Sequence, residues 1–298
     1  MASAARILLN RSRVSSGLAF GSVDVVADRF RQFVKFCKLR GVGRLEKINW
    51  TFAREYGLDL AGHVDCGEIA PAYAHNLISS VNSVMQLVTN WTPLSATRDC
   101  GIRNRSAIRQ NVPRGYGLEE FDDAVSNLET QRLIRQAAIA RLAREINLRS
   151  KEASLLDAVD ALKSIEKGVL VVTAGTKGGR RREIPIVTER QASALRMAAH
   201  LQATGRNLIP DSMSWKTWRE GGLRFGREAL QLSGIGGYHE LRAAYACQRY
   251  FELTGALAPV FGDRVQNKVV DLHARKVIGA ELGHGRVDVV AEYIGGRR

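Results

Sequence analysis

The sequence has no two cysteines at ligand or redox spacing: Cys37, Cys66, Cys100 and Cys247 are scattered along it without a CxxC or Cys/His cluster. A disulfide framework and a zinc site are therefore excluded, and the four read as buried or free thiols in a reducing compartment. There is no internal repeat or low-complexity tract. A membrane span is also missing. Ile69 to Thr97 carries no Asp, Glu, Lys or Arg, yet Asn76, Asn82, Gln86, Asn90 and the prolines at 71 and 93 make it too polar for hydrocarbon and better suited to a soluble helix. What the chain is short of most is acid. Against 44 Lys and Arg stand 30 Asp and Glu, a net charge of +14 over 298 residues, enough to draw in a polyanion by steering and counterion release. The excess is +8 up to residue 115 and +6 after it, as expected if both halves touch one long anion such as DNA.

Periodicity divides the chain. Residues 1–23 hold three arginines and no acid, which reads as a flexible basic arm. Val26, Phe30, Phe33, Val34 and Cys37, then Ile48, Phe52 and Tyr56, then Leu77, Val81, Val84, Met85 and Val88 recur at helical spacing, so 24–91 is expected to be a small helical domain. Residues 92–115 break the pattern with five arginines against one aspartate. They read as a basic linker, solvated or lying along phosphates, with Arg98, Arg103, Arg105 and Arg109 as candidate DNA contacts. The remainder, 116–298, is predicted to be helical except for VLVVTAGTKGGRRREIPIV, where two β-branched runs at 169–173 and 183–187 flank a Gly-rich basic turn, a hairpin signal. The expected class is thus mainly α with one small antiparallel sheet.

Chemistry-bearing residues are few. The turn GTKGG lacks the G-x-x-x-x-G-K-[ST] order of a P-loop, so nucleotide hydrolysis is excluded. What remains is Lys177 at a hairpin tip, able to reach into a groove and donate a proton, with Arg180 and Arg181 beside it as further phosphate contacts. His239 and Arg242, three apart on a predicted helix, project from one face and could grip a phosphate. Arg149 and Glu152 stand at a helix start, where the carboxylate could orient the guanidinium. Each is equally an ordinary surface residue or ion pair when taken alone. His63, His75, His200 and His273 match no pattern and read as surface or packing residues, and Trp215 and Trp218 as core anchors.

Taken in order, Arg149, Lys177, His239-x-x-Arg242, Leu282–Gly283–His284 and Tyr293, nine residues after His284, resemble the signature of the tyrosine recombinases, the phage-integrase and Xer-like family. NLRSKEASLL, TKGGRRREIPI, YHELRAAYA and ELGHGRVDVVAEY stand where that family has its arginine box, its β-hairpin lysine, its H-x-x-R and its L-G-H-x(8)-Y. The resemblance implies a SAM-like, helical core-binding domain followed by a catalytic domain. It further implies site-specific cleavage and rejoining of DNA through a 3′-phosphotyrosyl link, without a cofactor. Tyr293 would be the nucleophile, Arg149, Arg242 and His284 phosphate ligands, Lys177 the acid, His239 an aid to proton transfer, and Glu152 a support. The implied partner is double-stranded DNA bearing attachment sites, bound by a homotetramer with accessory DNA-bending proteins, in the cytoplasm at the nucleoid. The stretch between Arg242 and Leu282 is longer than in compact Xer enzymes, which points to the mobile-element branch and makes this stretch a candidate subunit contact. Two alternatives stay open: a catalytically silent DNA-bending relative, and a type IB topoisomerase, which shares the tyrosine chemistry.

Overall fold

The computed structural model describes residues 1–298 apart from 17–19, 105, 106, 263 and 298; the side chains of 13–16, 20–22 and 177 also lie outside the described residues. Two compact units result, Met1–Ser106 and Ala107–Arg298.

The first unit is built from α1 (Ala2–Ser16), α2 (Phe20–Leu39), α3 (Trp50–Asp65) and α4 (Pro71–Met85). Phe30 and Phe33 from α2 and Tyr56 from α3 meet Leu77, Ile78, Val81 and Met85 of α4 in its core. Asn49 caps α3 by accepting from the Phe52 N–H at 2.8 Å, and Pro71 opens α4, where its missing N–H costs nothing. Two sequence expectations give way here. Residues 2–16 are a helix rather than an arm, because Ala5 and Leu9, one turn apart, are buried in the same core and Arg6 pairs with Asp24. The expected linker also starts later. Leu94, Ala96, Cys100 and Ile102 are buried in this unit, and the Asn82 side chain holds the segment by exchanging two 2.9 Å hydrogen bonds with the Leu94 backbone. Gly57 on α3 makes room for this return: a Cβ there would stand 2.2 Å from Cys100 Sγ. The irregular spacing of these apolar residues carries no period, so the pattern of the sequence alone reads them as a loop.

The second unit runs α5 (Leu118–Thr130), α6 (Ile134–Ile146), α7 (Ser150–Leu155), α8 (Ala158–Ala161), α9 (Lys163–Lys167), β1 (Val169–Val172), β2 (Arg182–Pro185), α10 (Glu189–Gln202), α11 (Trp215–Glu220), α12 (Gly222–Leu232), α13 (Tyr238–Thr254), α14 (Lys268–Leu282) and α15 (Ala291–Ile294). The two strands pair antiparallel with Val172 opposite Arg182 and Leu170 opposite Ile184, so the class is mainly α with a small antiparallel sheet. One core joins α5, α6, α10 and α12 to the inner face of the hairpin, and Trp218 is buried in it, donating from its indole to Ser154 at 3.0 Å. A smaller core joins α13, α14 and α15 through Ala246, Tyr250, Ile278, Leu282 and Tyr293. The long stretch after Arg242 thus becomes the end of α13 and the whole of α14. No helix among the described residues is long and apolar enough to cross a membrane.

Candidate active site

The site grows from the C-terminus of α14. The last carbonyls of a helix have no partner within it and carry its negative dipole end. Gly283 ends α14 in the left-handed region (φ 74°), and the His284 N–H returns to the Gly279 carbonyl at 2.8 Å, a Schellman closure that sets the direction in which His284 leaves. The orphan carbonyls of Glu281 and Leu282 remain. They are taken up by guanidinium groups from three other elements. Arg182 Nε donates to the Glu281 oxygen at 2.8 Å, while Arg149 Nη2 and Arg242 Nη2 both donate to the Leu282 oxygen, at 2.9 and 3.1 Å. The arginine pair expected to clamp a phosphate is therefore held side by side on one oxygen atom.

Local chemistry brings each of them there. Arg149 is the N-cap of α7, where Glu152 at N3 accepts from its backbone N–H and from its Nη1, both at 2.7 Å. Arg182 enters from β2, where period-2 alternation turns it inward with Ile184, and donates to both Glu152 oxygens at 2.6 and 2.7 Å. Arg242, on α13, is buried and donates through Nε to the carbonyl and the side-chain oxygen of Asn147. Asn147 closes α6 in the left-handed conformation (φ 58°), which asparagine tolerates better than most residues, and donates to Glu281 O at 2.9 Å. Glu152 is the carboxylate shared by Arg149 and Arg182, so the cluster retains an excess of positive charge suited to an anion.

Burial opposes ionisation of Glu152, but hydrogen bonds and charge from Arg182 and Arg149 outweigh it and hold its pKa below the ordinary range. Burial pushes the Arg242 guanidinium down to about 10, with Tyr293 working against that and Arg149 and Arg182 adding to it; it stays cationic at neutral pH. His239 is lowered by burial and then by Arg242, Arg109 and Arg149, so it stands as a neutral imidazole. A histidine whose folded pKa is depressed supplies stability that is complete above its unfolded value of about 6.5 and fades as pH falls below it toward the folded value. The unfolding midpoint is therefore expected to drop as pH is lowered through about 6.5, and His239→Gln to flatten that slope in a pH series of thermal melts. An unchanged slope would mean that the imidazole binds protons equally in the folded and unfolded states.

Tyr293 sits on the one-turn helix α15, 3% exposed. Its hydroxyl lies 3.2 Å from His284 Nε2, its ring centroid 5.2 Å from that of His239, and the Arg242 guanidinium carbon 5.7 Å from the ring centre. His284 rather than His239 thus touches the hydroxyl. The turn after it is tethered. Arg275 donates to Gly295 O at 3.1 Å and Arg297 reaches Asp271 at 2.7 Å.

Of the remaining sequence candidates, Lys177 opens the short helical turn Lys177–Gly179 between the strands, with its side chain outside the described residues. Arg180 and Arg181 are exposed on the hairpin and help line a cleft of ≈ 430 Å³ against Gly283, His284 and Gly285. Arg98 is exposed and paired with Asp99, and Arg103 donates to the Val64 carbonyl; Arg105 lies outside the described residues. Arg109 departs from expectation. Its guanidinium is largely buried against the Glu240 carboxylate, and its backbone N–H donates to the Ala291 carbonyl at 2.9 Å, so it ties the start of the second unit to α13 and α15 instead of facing solvent. Arg182, Asn147 and Glu281 lie inside the motif segments quoted above, but the sequence pattern gave none of them a role. The inward parity of Arg182 with Ile184 and Ile186 was the one signal that could have found it.

Residues 107–248 match the family model described as integrase. No curated protein matches the chain in sequence. Among solved structures, the chain resembles the Tn1549 transposon integrase in complex with transposon right end DNA (13% identity, 99% of this chain and 95% of that one, TM-score 0.63). It also resembles XerH bound to its palindromic difH substrate (14%, 100% and 82%, TM-score 0.60), and a lambda integrase tetramer bound to a Holliday junction (16%, 97% and 75%, TM-score 0.57). The integrase match over 107–248 lies within the second unit, and the chain carries the fold of the tyrosine recombinases.

Proposed function

We propose that this protein cuts and rejoins double-stranded DNA at defined sites through a covalent bond to Tyr293, as the integrase of a phage or another mobile element. The observation that supports it most is the pair of guanidinium heads fixed on the Leu282 carbonyl, next to a histidine whose Nε2 lies 3.2 Å from the Tyr293 hydroxyl. A phosphodiester already repels nucleophiles, and attack builds more charge on its non-bridging oxygens, so donors must be in place before reaction. Arg149 and Arg242 supply them, each as a planar fork matched to phosphate oxygens. The Tyr293 ring centre lies 5.7 Å from the Arg242 guanidinium carbon, so nucleophile and phosphate ligand stand next to each other.

The phenolic oxygen of Tyr293 then attacks phosphorus, its proton passing to His284 or, through it, to the neutral His239. The bond from phosphorus to the 5′-oxygen breaks. Lys177 on the hairpin protonates that oxygen, leaving a 3′-phosphotyrosyl link and a free 5′-hydroxyl. Because the link conserves the energy of the broken bond, a second 5′-hydroxyl can reverse the step without ATP. Arg180 and Arg181 steady the backbone beside the scissile phosphate, and Arg98 and Arg103 contact DNA from the first unit. The lambda integrase structure is titled a tetramer on a Holliday junction, and we extend that assembly to this protein, with DNA-bending proteins as accessory partners.

Nicked duplexes tiled across the DNA flanking the gene are the test. The expected result is a denaturation-resistant protein–DNA adduct formed on a defined subset of them in chelator. Salt-sensitive binding with no adduct on any duplex would favour a silent DNA-bending protein, and adducts on every duplex alike would favour a topoisomerase.

A further inference from the structure

Arg182 is the least expected charge in the molecule. It is 5% exposed, lies on a strand facing the core beside Ile184, and makes four hydrogen bonds: to Glu281 O, to both oxygens of Glu152 and to Asn147 O. A buried guanidinium loses a large hydration energy, and an apolar residue of its size would serve packing as well or better. Stability of the strand therefore gives no reason for it. What its bonds do is join three elements, the end of α6, the start of α7 and the end of α14, which carry Arg149 and His284 and bind Arg242 through Asn147 and Leu282. Four of its five N–H donors are committed to protein oxygens, so Arg182 is built to hold protein groups rather than a phosphate. Gly283 is fitted to it: a Cβ there would come within 3.0 Å of Arg182 Cδ and 3.5 Å of Arg149 Nη1.

We infer that Arg182 is a positioning residue of the strand-transfer reaction: it fixes the Glu152 carboxylate and the 281–283 turn, and through them the aim of Arg149 and of His284. This rests on the function proposed above. The electrostatics agree, since after the opposing effect of burial the hydrogen bonds from Arg182 act most strongly on the ionisation of Glu152. The role also explains why lysine would not suffice. A single ammonium can reach one Glu152 oxygen, but it lacks the planar fork that spans carboxylate and carbonyls at once.

The test uses the full chain and a nicked duplex that the wild type cleaves, with single-turnover adduct formation at saturating DNA, DNA affinity and thermal melting measured for each variant. Arg182→Lys is expected to slow adduct formation about 10-fold, and Arg182→Met about 10²- to 10³-fold, with DNA affinity within about 2-fold of wild type, the pattern of lost preorganisation. Glu152→Gln with Arg182→Met removes both buried charges together, so it folds even where Arg182→Met alone does not. If the two residues act as one unit, the double variant is no slower than the slower single variant within about 3-fold. A folded Arg182→Met or double variant that forms adduct at the wild-type rate overturns the inference, as do losses that multiply or that lie wholly in DNA affinity. Absence of adduct with the wild type would overturn the recombinase reading, and this one with it; a wild-type adduct matched by the variants sinks this one alone.

Discussion

Tyr293→Phe is expected to abolish covalent capture of DNA while leaving fold and DNA affinity as they are. The ring is what packs: it is 3% exposed and meets the rings of His239 and His284 and the guanidinium of Arg242, and phenylalanine keeps all of these contacts. The hydroxyl is hydrogen-bonded to His284 at 3.2 Å, and its loss costs on the order of 1 kcal/mol of stability. The chemistry has no substitute for it. Removing a nucleophile removes the covalent route itself, and the fall in adduct is expected to exceed about 10⁴-fold, into the background of the assay. Thermal melting and a mobility-shift titration distinguish this from a damaged protein. An adduct that persists in the variant would place the nucleophile elsewhere and end the assignment of Tyr293.

The candidate site residues were legible because their types and order are local facts. H-x-x-R on one helix face, lysine on a Gly-rich hairpin turn and tyrosine nine residues after histidine can be read without knowing what packs on what, and the hairpin was found to within a residue or two at each end. The framework behind them was less legible. That the C-terminal carbonyls of α14 gather three arginines is a tertiary fact, since Arg182 and Asn147 lie 99 and 134 residues from the Glu281 they bind. Arg109 shows the same limit in reverse. Its setting in a basic, aperiodic segment suggested solvent or phosphate, whereas its partner is Glu240, 131 residues away. A basic run announces charge and not its destination. Residues 2–16 failed for a third reason: arginines and serines set the composition, while Ala5 and Leu9, with Ala2 and Leu8 beside them, set the packing.

Arg242→Lys is the second large effect. A lysine keeps the positive charge, so the attraction of DNA to a chain of net charge +14 changes little and affinity is expected to stay within about 3-fold. It cannot keep the fork. In the wild type, Nε is bound to Asn147 and one Nη2 proton to Leu282, an arrangement that fixes the plane of the guanidinium before any phosphate arrives. The ammonium that replaces it is a flexible point charge, and losing one or two preorganised donors at the developing oxyanion costs about 10²- to 10³-fold in rate. Arg242→Ala should cost more, about 10³- to 10⁴-fold. Its stability loss is held to roughly 1–3 kcal/mol, because Leu282 O retains Arg149 and Asn147 O retains Arg182 as donors, and one of several crowded like charges is gone. Single-turnover cleavage at saturating DNA separates the two variants from a binding defect. If Arg242→Lys cleaves as fast as the wild type, charge alone suffices at this position, and the side-by-side arrangement on the Leu282 carbonyl has no part in holding the transition state.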